Sequence, residues 1–344
     1  MPDKKDPIVC SAAPDQRRTV LVLALGGTIA MTPTSAQGGV TPTLTGSDLV
    51  TAVPGLQDFE VTAEDFRRLP GASLTTGDIV ELTHRLEQAD REGVHGVVVT
   101  QGTDTLEETS FLADLYYRGD MPVVFTGAMR SAFSAGADGP ANLLAAAQTA
   151  ASPQANGQGV LVVLGDQIHA ARHVRKMHTT SPAAFHSPES GPLGHVIEGA
   201  VRLHHDPSRH IGLIALPVNP ASRPPEVDIV TASMGSTGVL LHGLEKKLSG
   251  LVVAALGAGH VPDTWVPRLT ALATEIPVVL ASRIGTGPVL TSTYSFPGSE
   301  IDLLDRGLIA AGSLDPYKAR LLLGAQLAAG AARPEIAEAF RRYA

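Results

Sequence analysis

Cysteine is nearly missing from this 344-residue chain. The single cysteine, Cys10, excludes an intrachain disulfide and any zinc or iron–sulfur site built from cysteines. No apolar run approaches the length of a membrane span, and no apolar region follows the basic residues near the start as in a secretory signal. We therefore expect a soluble, cytoplasmic protein with no membrane partner, although a secreted protein whose signal has been removed would share this composition.

Charge is scarce as well. Charged residues make up 17% of the chain and hydrophobic residues 44%, which predicts a compact globular protein. The formal net charge is -8 and no Lys/Arg cluster is large, so we predict no nucleic-acid partner. His169 and His173 stand four residues apart, but without an H-E-x-x-H motif or a helical pattern beneath them we predict no metal site.

Short apolar runs alternate with longer helical patterns in the first half of the chain. Strands are predicted at 19–25, 94–100, 122–127 and 159–165, and helices at 76–90, 105–118 and 139–152. Strands that are apolar on both faces and separated by amphipathic helices are typical of a parallel sheet covered on both sides. The first half therefore predicts a flavodoxin-like α/β domain.

Four prolines within ten residues, the first at Pro217, interrupt this pattern before strands and helices resume. The prolines are typical of a linker. We predict a two-domain α/β protein with a smaller second domain. Its parts are a tail at 1–18, a catalytic domain at 19–218, a linker at 219–226 and a C-terminal α/β domain at 227–344.

Polar residues follow three of the predicted strands. Ligands of such sheets bind at the carboxyl ends of the strands, so these residues are candidates for chemistry. Gly26-Gly27-Thr28 follows the first strand but matches neither the dinucleotide nor the P-loop fingerprint, so Thr28 is either a turn cap or a nucleophile. Lys176 lies beyond the strand at 159–165. It is either a solvated surface charge or a base whose pKa burial lowers.

The turn Gly102-Thr103-Asp104 follows the strand at 94–100. Thr105 and Glu108 have the spacing of a helix capping box, which gives those two residues a structural use. The box leaves Thr103 and Asp104 unexplained. A carboxylate there can bind a substrate ammonium, a hydroxyl can take part in proton transfer, and backbone N–H groups of the glycines can stabilise an oxyanion.

Several separated motifs, in order, resemble the bacterial L-asparaginase family from about residue 20 to the C-terminus. They are LGGTIA at 25–30, GTDTLEET at 102–109, VVFTGAMR at 123–130, GADGPANL at 136–143, RKMHTT at 175–180, GPLG at 191–194 and LDPYKARLLL at 314–323. The resemblance implies a two-domain α/β enzyme, a homotetramer built from dimers or a homodimer. Such an enzyme hydrolyses the side-chain amide of L-asparagine to L-aspartate and ammonia, with some activity on glutamine, and needs no metal or cofactor.

The resemblance also implies roles for single residues. Thr28 is similar to the family's nucleophile, and Thr103, Asp104 and Lys176 to its second catalytic set, with Lys176 as the base. Asp104 would also bind the substrate ammonium, Ser73 the α-carboxylate, and the backbones of Gly27 and Gly102 would line the substrate. The segment at 31–43 would form a lid over the site.

The chain departs from the family pattern in several places. The segment at 31–43 has no tyrosine to activate Thr28, which leaves a water, Thr41 or a residue from elsewhere as the proton acceptor. Gln101 stands where the family commonly has histidine, and Tyr294 stands near where it often has an acid. Two other functions stay open at this point. One is the ammonia-generating subunit of a tRNA-dependent amidotransferase, and the other is a catalytically silent nucleotide-binding module.

Overall fold

The computed structural model describes residues 17–27, 31–33, 40–42, 45–205, 214–217 and 224–343. The strands are β1 (Thr19–Ala24), β2 (Met31–Pro33), β3 (Val40–Pro42), β4 (Glu60–Asp65), β5 (Gly96–Thr100), β6 (Val123–Thr126), β7 (Val160–Leu164), β8 (Gln167–Ala170), β9 (Arg175–Lys176), β10 (Phe185–His186), β11 (Gly194–Ile197), β12 (Ala200–Leu203), β13 (Val227–Thr231), β14 (Gly250–Ala255), β15 (Val278–Ser282) and β16 (Ile309–Ala310). The α-helices are α1 (Gly46–Thr51), α2 (Thr76–Arg91), α3 (Leu106–Tyr116), α4 (Gly139–Ala150), α5 (Val266–Glu275), α6 (Glu300–Asp305), α7 (Pro316–Ala328) and α8 (Arg333–Arg341).

The large sheet has the order β12-β11-β8-β7-β6-β5-β1-β4. The strands β4, β1, β5, β6 and β7 are parallel to one another. Counted along the chain within this parallel set, their order is 2-1-3-4-5, which is the flavodoxin-like order. The predicted fold class is therefore confirmed, and the ligand-binding end of such a sheet is its switch point between β1 and β5.

Both faces of the parallel strands are buried, as their continuous apolar sequences predict. In β1, Leu21 and Leu23 belong to one core together with residues of α2 and α3. Val20 and Val22 point to the other face and pack with α4. The alternation arises because successive side chains of a strand lie on opposite faces, so a strand covered on both sides must be apolar at every position.

Four strands of the large sheet were not predicted. β4 lies at one edge of the sheet, where its residues are exposed or half-buried. Its sequence is therefore largely polar, and without an apolar run it could not be told from a loop. β8, β11 and β12 are short and antiparallel, and they extend the opposite edge beyond β7. The β7–β8 hairpin turns at Gly165 and Asp166, both at positive φ. A tight turn of this kind makes antiparallel pairing possible without the helical crossover that a parallel strand needs.

The smaller C-terminal domain contains a parallel four-stranded sheet, β13-β14-β15-β16. One face of this sheet packs against α5. The other face packs against α7, which also contacts α3 of the large domain, so one apolar core runs through both domains. The exact boundary at 219–226 stays a prediction, because part of that segment lies outside the described residues.

None of the helices in the described part of the chain combines the length and the apolar character that crossing a bilayer requires.

Gly96 tests the close contact between β5 and the end of α4. A Cβ at residue 96 would lie 2.0 Å from the carbonyl oxygen of Ala150, a backbone atom that cannot rotate away. We expect Gly96→Ala to lower the free energy of unfolding by about 3 kcal/mol, the upper end of overpacking effects, in urea titrations. The matched control is Gly324→Ala in α7, where a Cβ meets nothing closer than 3.9 Å. It should gain roughly 0.5 to 1 kcal/mol from helix propensity, and equal losses in both variants would contradict the packing.

Candidate active site

The turns after β1 and β5 meet at the switch point of the large sheet. Gly27 has φ of 89°, and a Cβ there would lie 2.0 Å from the backbone nitrogen of Gly102. Only glycine tolerates both the positive φ and this contact. On the other side of Gly102, a Cβ at Gly71 would lie 3.2 Å from its carbonyl oxygen. Three glycine backbones therefore bring together the ends of β1 and β5 and the 3-10 turn Gly71–Ser73.

Lys176 reaches the turn after β5 from a different part of the chain. Its Nζ donates to Thr103 Oγ1 at 2.9 Å and to Asp104 Oδ1 at 3.1 Å. Thr103 is buried and the Lys176 side chain is mostly buried, whereas the Asp104 side chain is 70% exposed. The arrangement gives a hydroxyl in contact with an amine, and beside it a carboxylate that is open to a ligand. Thr103, Asp104 and Lys176, which the resemblance groups as one set, therefore lie together.

Of the two remaining predicted side chains of the site, only Ser73 belongs to the residues that the structure describes. Thr28 lies outside the described residues, as does most of the segment at 31–43; the backbone of its β2 and β3 portions forms a two-stranded antiparallel pair. Ser73 is exposed and ends the 3-10 turn that begins at Gly71. It therefore lies on the turn that packs against Gly102, within the same neighbourhood as Thr103 and Asp104.

The predicted capping box at Thr105 and Glu108 is wrong. The Thr105 side chain makes no cap hydrogen bond and instead donates from Oγ1 to the carbonyl oxygen of Gly71 at 2.9 Å. The tertiary contact replaces the local one and ties the 3-10 turn to the start of α3. Glu108 is left half-buried facing α7, where burial raises its pKa and the charge of Arg320 opposes that shift.

Gln101 takes part in hydrogen bonds, as its chemistry predicts. Its Nε2 donates to the carbonyl oxygen of Gly102 at 3.1 Å, and its Oε1 accepts from Thr109 Oγ1 at 2.8 Å. Gln101 is fully buried and thereby fixes the turn that precedes Thr103.

His169, the first of the two histidines spaced four residues apart, makes a structural contact. His169 is buried and its Nδ1 lies 2.9 Å from Ser187 Oγ, and no cluster of metal-binding side chains occurs within the described ranges.

Sequence reasoning missed two charged residues behind Lys176. Glu107 is buried, and its carboxylate accepts a hydrogen bond from the backbone N–H of Lys176. Burial raises the pKa of Glu107, although that hydrogen bond acts in the opposite direction. Lys318 of α7 is 1% exposed, and burial lowers its pKa to about 8. A charged residue flanked by apolar positions in a helix, as Lys318 is in LDPYKARLLL, was the one available sequence signal.

The C-terminal domain has a buried acid, Glu300, beside Tyr294, the residue that stands near where the family often has an acid. Glu300 is buried and accepts from the backbone N–H groups of Thr293 and Tyr294 at 3.0 and 2.6 Å. Its other oxygen lies 3.2 Å from His260 Nε2. Burial alone would raise the pKa of Glu300, but these hydrogen bonds outweigh it and lower the pKa. The acid in this region therefore fixes a loop instead of facing solvent.

Two family models match the chain. The N-terminal domain model of the asparaginases matches residues 19–209, and the glutaminase/asparaginase C-terminal domain model matches residues 226–340. Together they cover nearly the whole of both sheets. The chain belongs to the asparaginase family and is an amidohydrolase of that class.

Individual relatives agree with the family models. The chain is 40% identical over 319 residues to a probable L-asparaginase of Deinococcus radiodurans, covering 92% of this chain and 94% of that protein. It is 34% identical over 330 residues to L-asparaginase 2 of Escherichia coli, covering 94% and 93%. A crystal structure of a probable cytoplasmic L-asparaginase from Campylobacter jejuni superposes with a TM-score of 0.85 at 30% identity, covering 95% of this chain and 100% of that one.

The buried carboxyl of Glu107 predicts a pH-dependent effect on stability. Because its folded-state pKa is raised, the folded protein binds this proton more tightly than the unfolded chain does. Wild-type stability should therefore rise relative to that of Glu107→Gln as pH falls through the folded pKa towards the unfolded value of about 4.3, and this gain should be absent at neutral pH. Urea unfolding of both proteins from pH 8 to pH 4 measures the difference.

The control for this comparison is Glu275→Gln at the exposed end of α5, which removes a carboxylate remote from α3 and Lys176. If the difference between wild type and Glu107→Gln varies with pH no more than that of the control does, the folded protein does not shift the titration of Glu107.

Proposed function

We propose that this protein hydrolyses the side-chain amide of L-asparagine to L-aspartate and ammonia. The observation that carries the proposal is the contact of Lys176 Nζ with both Thr103 and Asp104 at the switch point of the sheet. A hydroxyl is inert at neutral pH unless a base takes its proton, and Thr103 and Lys176 place a hydroxyl and a base in contact. Membership of the asparaginase family supplies the reaction class.

Thr28 is the proposed nucleophile, because it follows the first strand and Gly27, whose backbone packs on the turn that carries Thr103. Its oxygen attacks the amide carbon, and its proton passes to a neighbouring acceptor. The oxyanion that forms is stabilised by backbone N–H groups of the glycine turns. The C–N bond then breaks, ammonia leaves with a proton, and water hydrolyses the ester to aspartate. Lys176 serves as the base for the proton transfer through Thr103.

Substrate recognition needs one group for each charge of a small zwitterion. Asp104 is exposed and bonded to Lys176 through one oxygen, so its carboxylate is accessible to a substrate ammonium. Ser73 is the proposed donor to the α-carboxylate, from the turn packed against Gly102. The backbones of Gly27 and Gly102 would line the substrate between them. Glutamine is a proposed minor substrate, consistent with the name of the family's C-terminal domain.

The amidotransferase subunit is not favoured as an alternative. The asparaginase relatives of Deinococcus radiodurans and Escherichia coli align with this chain over more than 90% of their own length. The nucleotide-binding module is not favoured either, because the family models match across both domains. We also propose that the enzyme acts in the cytoplasm, by analogy with the Campylobacter jejuni protein, which is described as a probable cytoplasmic L-asparaginase. Cell fractionation tests this location.

Ammonia release from L-asparagine by the purified protein is the direct test. We expect Lys176→Met to lower kcat about 10²- to 10⁴-fold, the usual range for loss of general-base catalysis, and Thr28→Ala to lower it at least as much. Matched controls are Lys247→Met and Thr264→Ala, both at exposed positions of the C-terminal domain. The controls should retain wild-type rates. Wild-type activity in Lys176→Met and Thr28→Ala would refute the assignment.

The protein is also proposed to form a homotetramer or homodimer. Large apolar side chains are exposed beside the site and on the C-terminal domain, at Met177, Met234, Ile284, Tyr294 and Phe296. Exposed apolar groups of this kind are typical of subunit interfaces. Light scattering of the purified protein should therefore give two or four times the 35.7 kDa chain mass. A stable monomer with full activity would contradict the proposal.

A further inference from the structure

The segment that leads to Lys176 has little regular structure of its own. β8 ends at Ala170, and Lys176 lies in the two-residue strand β9, which pairs with the two residues of β10. We call residues 172–176 the Lys176 arm. Because so short a ladder fixes few backbone dihedrals, the position of Lys176 Nζ depends on contacts from elsewhere in the fold.

Lys318 supplies the main contact to the start of the arm. Its Nζ donates to the carbonyl oxygen of Val174 at 2.5 Å and to that of Arg172 at 3.2 Å. Lys318 belongs to α7 in the C-terminal domain, and it lies 144 and 146 residues beyond these two arm residues in the sequence. A single ammonium therefore fixes two alternate carbonyl groups of the arm, just before Lys176.

The end of the arm is fixed by α3. The backbone N–H of Lys176 donates to Glu107, while its Nζ donates to Thr103, four residues earlier in the same turn of chain. Between these points, Arg175 donates from Nη1 to the carbonyl oxygen of Gly285 at 2.6 Å and lies 3.7 Å from Asp315 through Nε. The arm is thus held at both ends, by α7 before Lys176 and by α3 at Lys176 itself.

The surroundings of Lys318 make this contact hard to replace. The side chain is 1% exposed and its Nζ lies 5.8 Å from the centre of the Phe111 ring, so water cannot take over its two hydrogen bonds. Burial lowers its pKa, and the negative charges of Asp315 and Glu107 oppose that shift. An apolar replacement would leave the two arm carbonyls without a donor, and a buried polar group left in that state favours a different backbone position.

We propose that Lys318 is a positioning residue for catalysis, which holds the Lys176 arm so that Lys176 Nζ contacts Thr103. The hydrogen bonds that Lys318 Nζ donates go to the arm carbonyls of Arg172 and Val174 and not to Thr103 or Asp104. The inference rests on the proposed function and adds a residue of the other domain to it. Lys318 Nζ donates to the arm and not to the turns that carry Asp104 and Ser73, so its loss should lower turnover more than it weakens substrate binding.

Lys318→Met tests the proposal, because methionine keeps most of the volume and the apolar stem but has no donor. A second variant, Lys318→Gln, keeps a neutral donor on a shorter side chain and serves where the first does not fold. The matched control is Arg333→Met. Arg333 also donates to two backbone carbonyls, those of Ala273 and Ile276, but at a place remote from the arm.

Loss of folded protein must be separated from loss of positioning. For each variant, calorimetric titration with L-aspartate counts the sites that still bind product, and kcat is expressed per binding site. We expect kcat per site to fall about 10- to 100-fold in Lys318→Met, since misplacing a catalytic group by about 1 Å has effects of that size. KM and the aspartate dissociation constant should change much less than kcat, because Ser73 is not bonded to the arm and Asp104 contacts Lys176 through one carboxylate oxygen only.

We expect Lys318→Gln to recover part of the lost rate and Arg333→Met to keep wild-type kcat per site. The proposal is overturned if kcat per site in Lys318→Met, or in Lys318→Gln where Lys318→Met does not fold, equals that of Arg333→Met, or if KM rises as much as kcat falls. Failure of the underlying function looks different, because the wild-type protein itself would then release no ammonia from L-asparagine.

Discussion

Contact between the backbones of Gly27 and Gly102 is the constraint on which the site depends. The two turns can approach so closely only because neither residue has a side chain, and the 3-10 turn from Gly71 completes the contact. The flavodoxin-like order of the strands brings these turns to one edge of the sheet, and the missing Cβ atoms let their backbones come into direct contact. The close approach of these three glycine backbones therefore places Thr103 and Asp104 at the switch point of the sheet.

Two acidic residues near Lys176 have opposite settings within one turn of chain. Asp104 is largely exposed and contacts the lysine side chain, whereas Glu107 is buried and accepts from the lysine backbone. Their difference follows from the start of α3, where Asp104 in the turn before the helix faces solvent and Glu107 in the first turn of the helix faces the core. The carboxylate of Asp104 is accessible from solvent, and that of Glu107 fixes the backbone of Lys176.

Sequence alone predicted the continuous apolar strands and the helices between them, because burial on both faces leaves a simple pattern. β1, β5, β6 and β7 were found in this way, whereas Thr103, Asp104 and Lys176 were grouped only by the resemblance to the asparaginase family, because spacing along the chain does not show that they meet. β4 was missed because an edge strand needs no apolar pattern, and the Thr105 cap failed because a tertiary partner, Gly71, competes with the local one. Glu107 and Lys318 could not be predicted, since their partners are backbone atoms distant in sequence.

The apolar core that passes from α3 to α7 joins the two domains into one unit. Helix α3, which begins directly after the turn that carries Thr103, therefore packs against α7 in the last third of the chain. Chimeras that exchange C-terminal halves between relatives will inherit mismatched surfaces along α3 unless that helix is exchanged with them. Recombination or directed evolution of this scaffold should therefore keep α3 and α7 from the same parent. A crossover placed in the proline-rich connection between the sheets would separate these two helices.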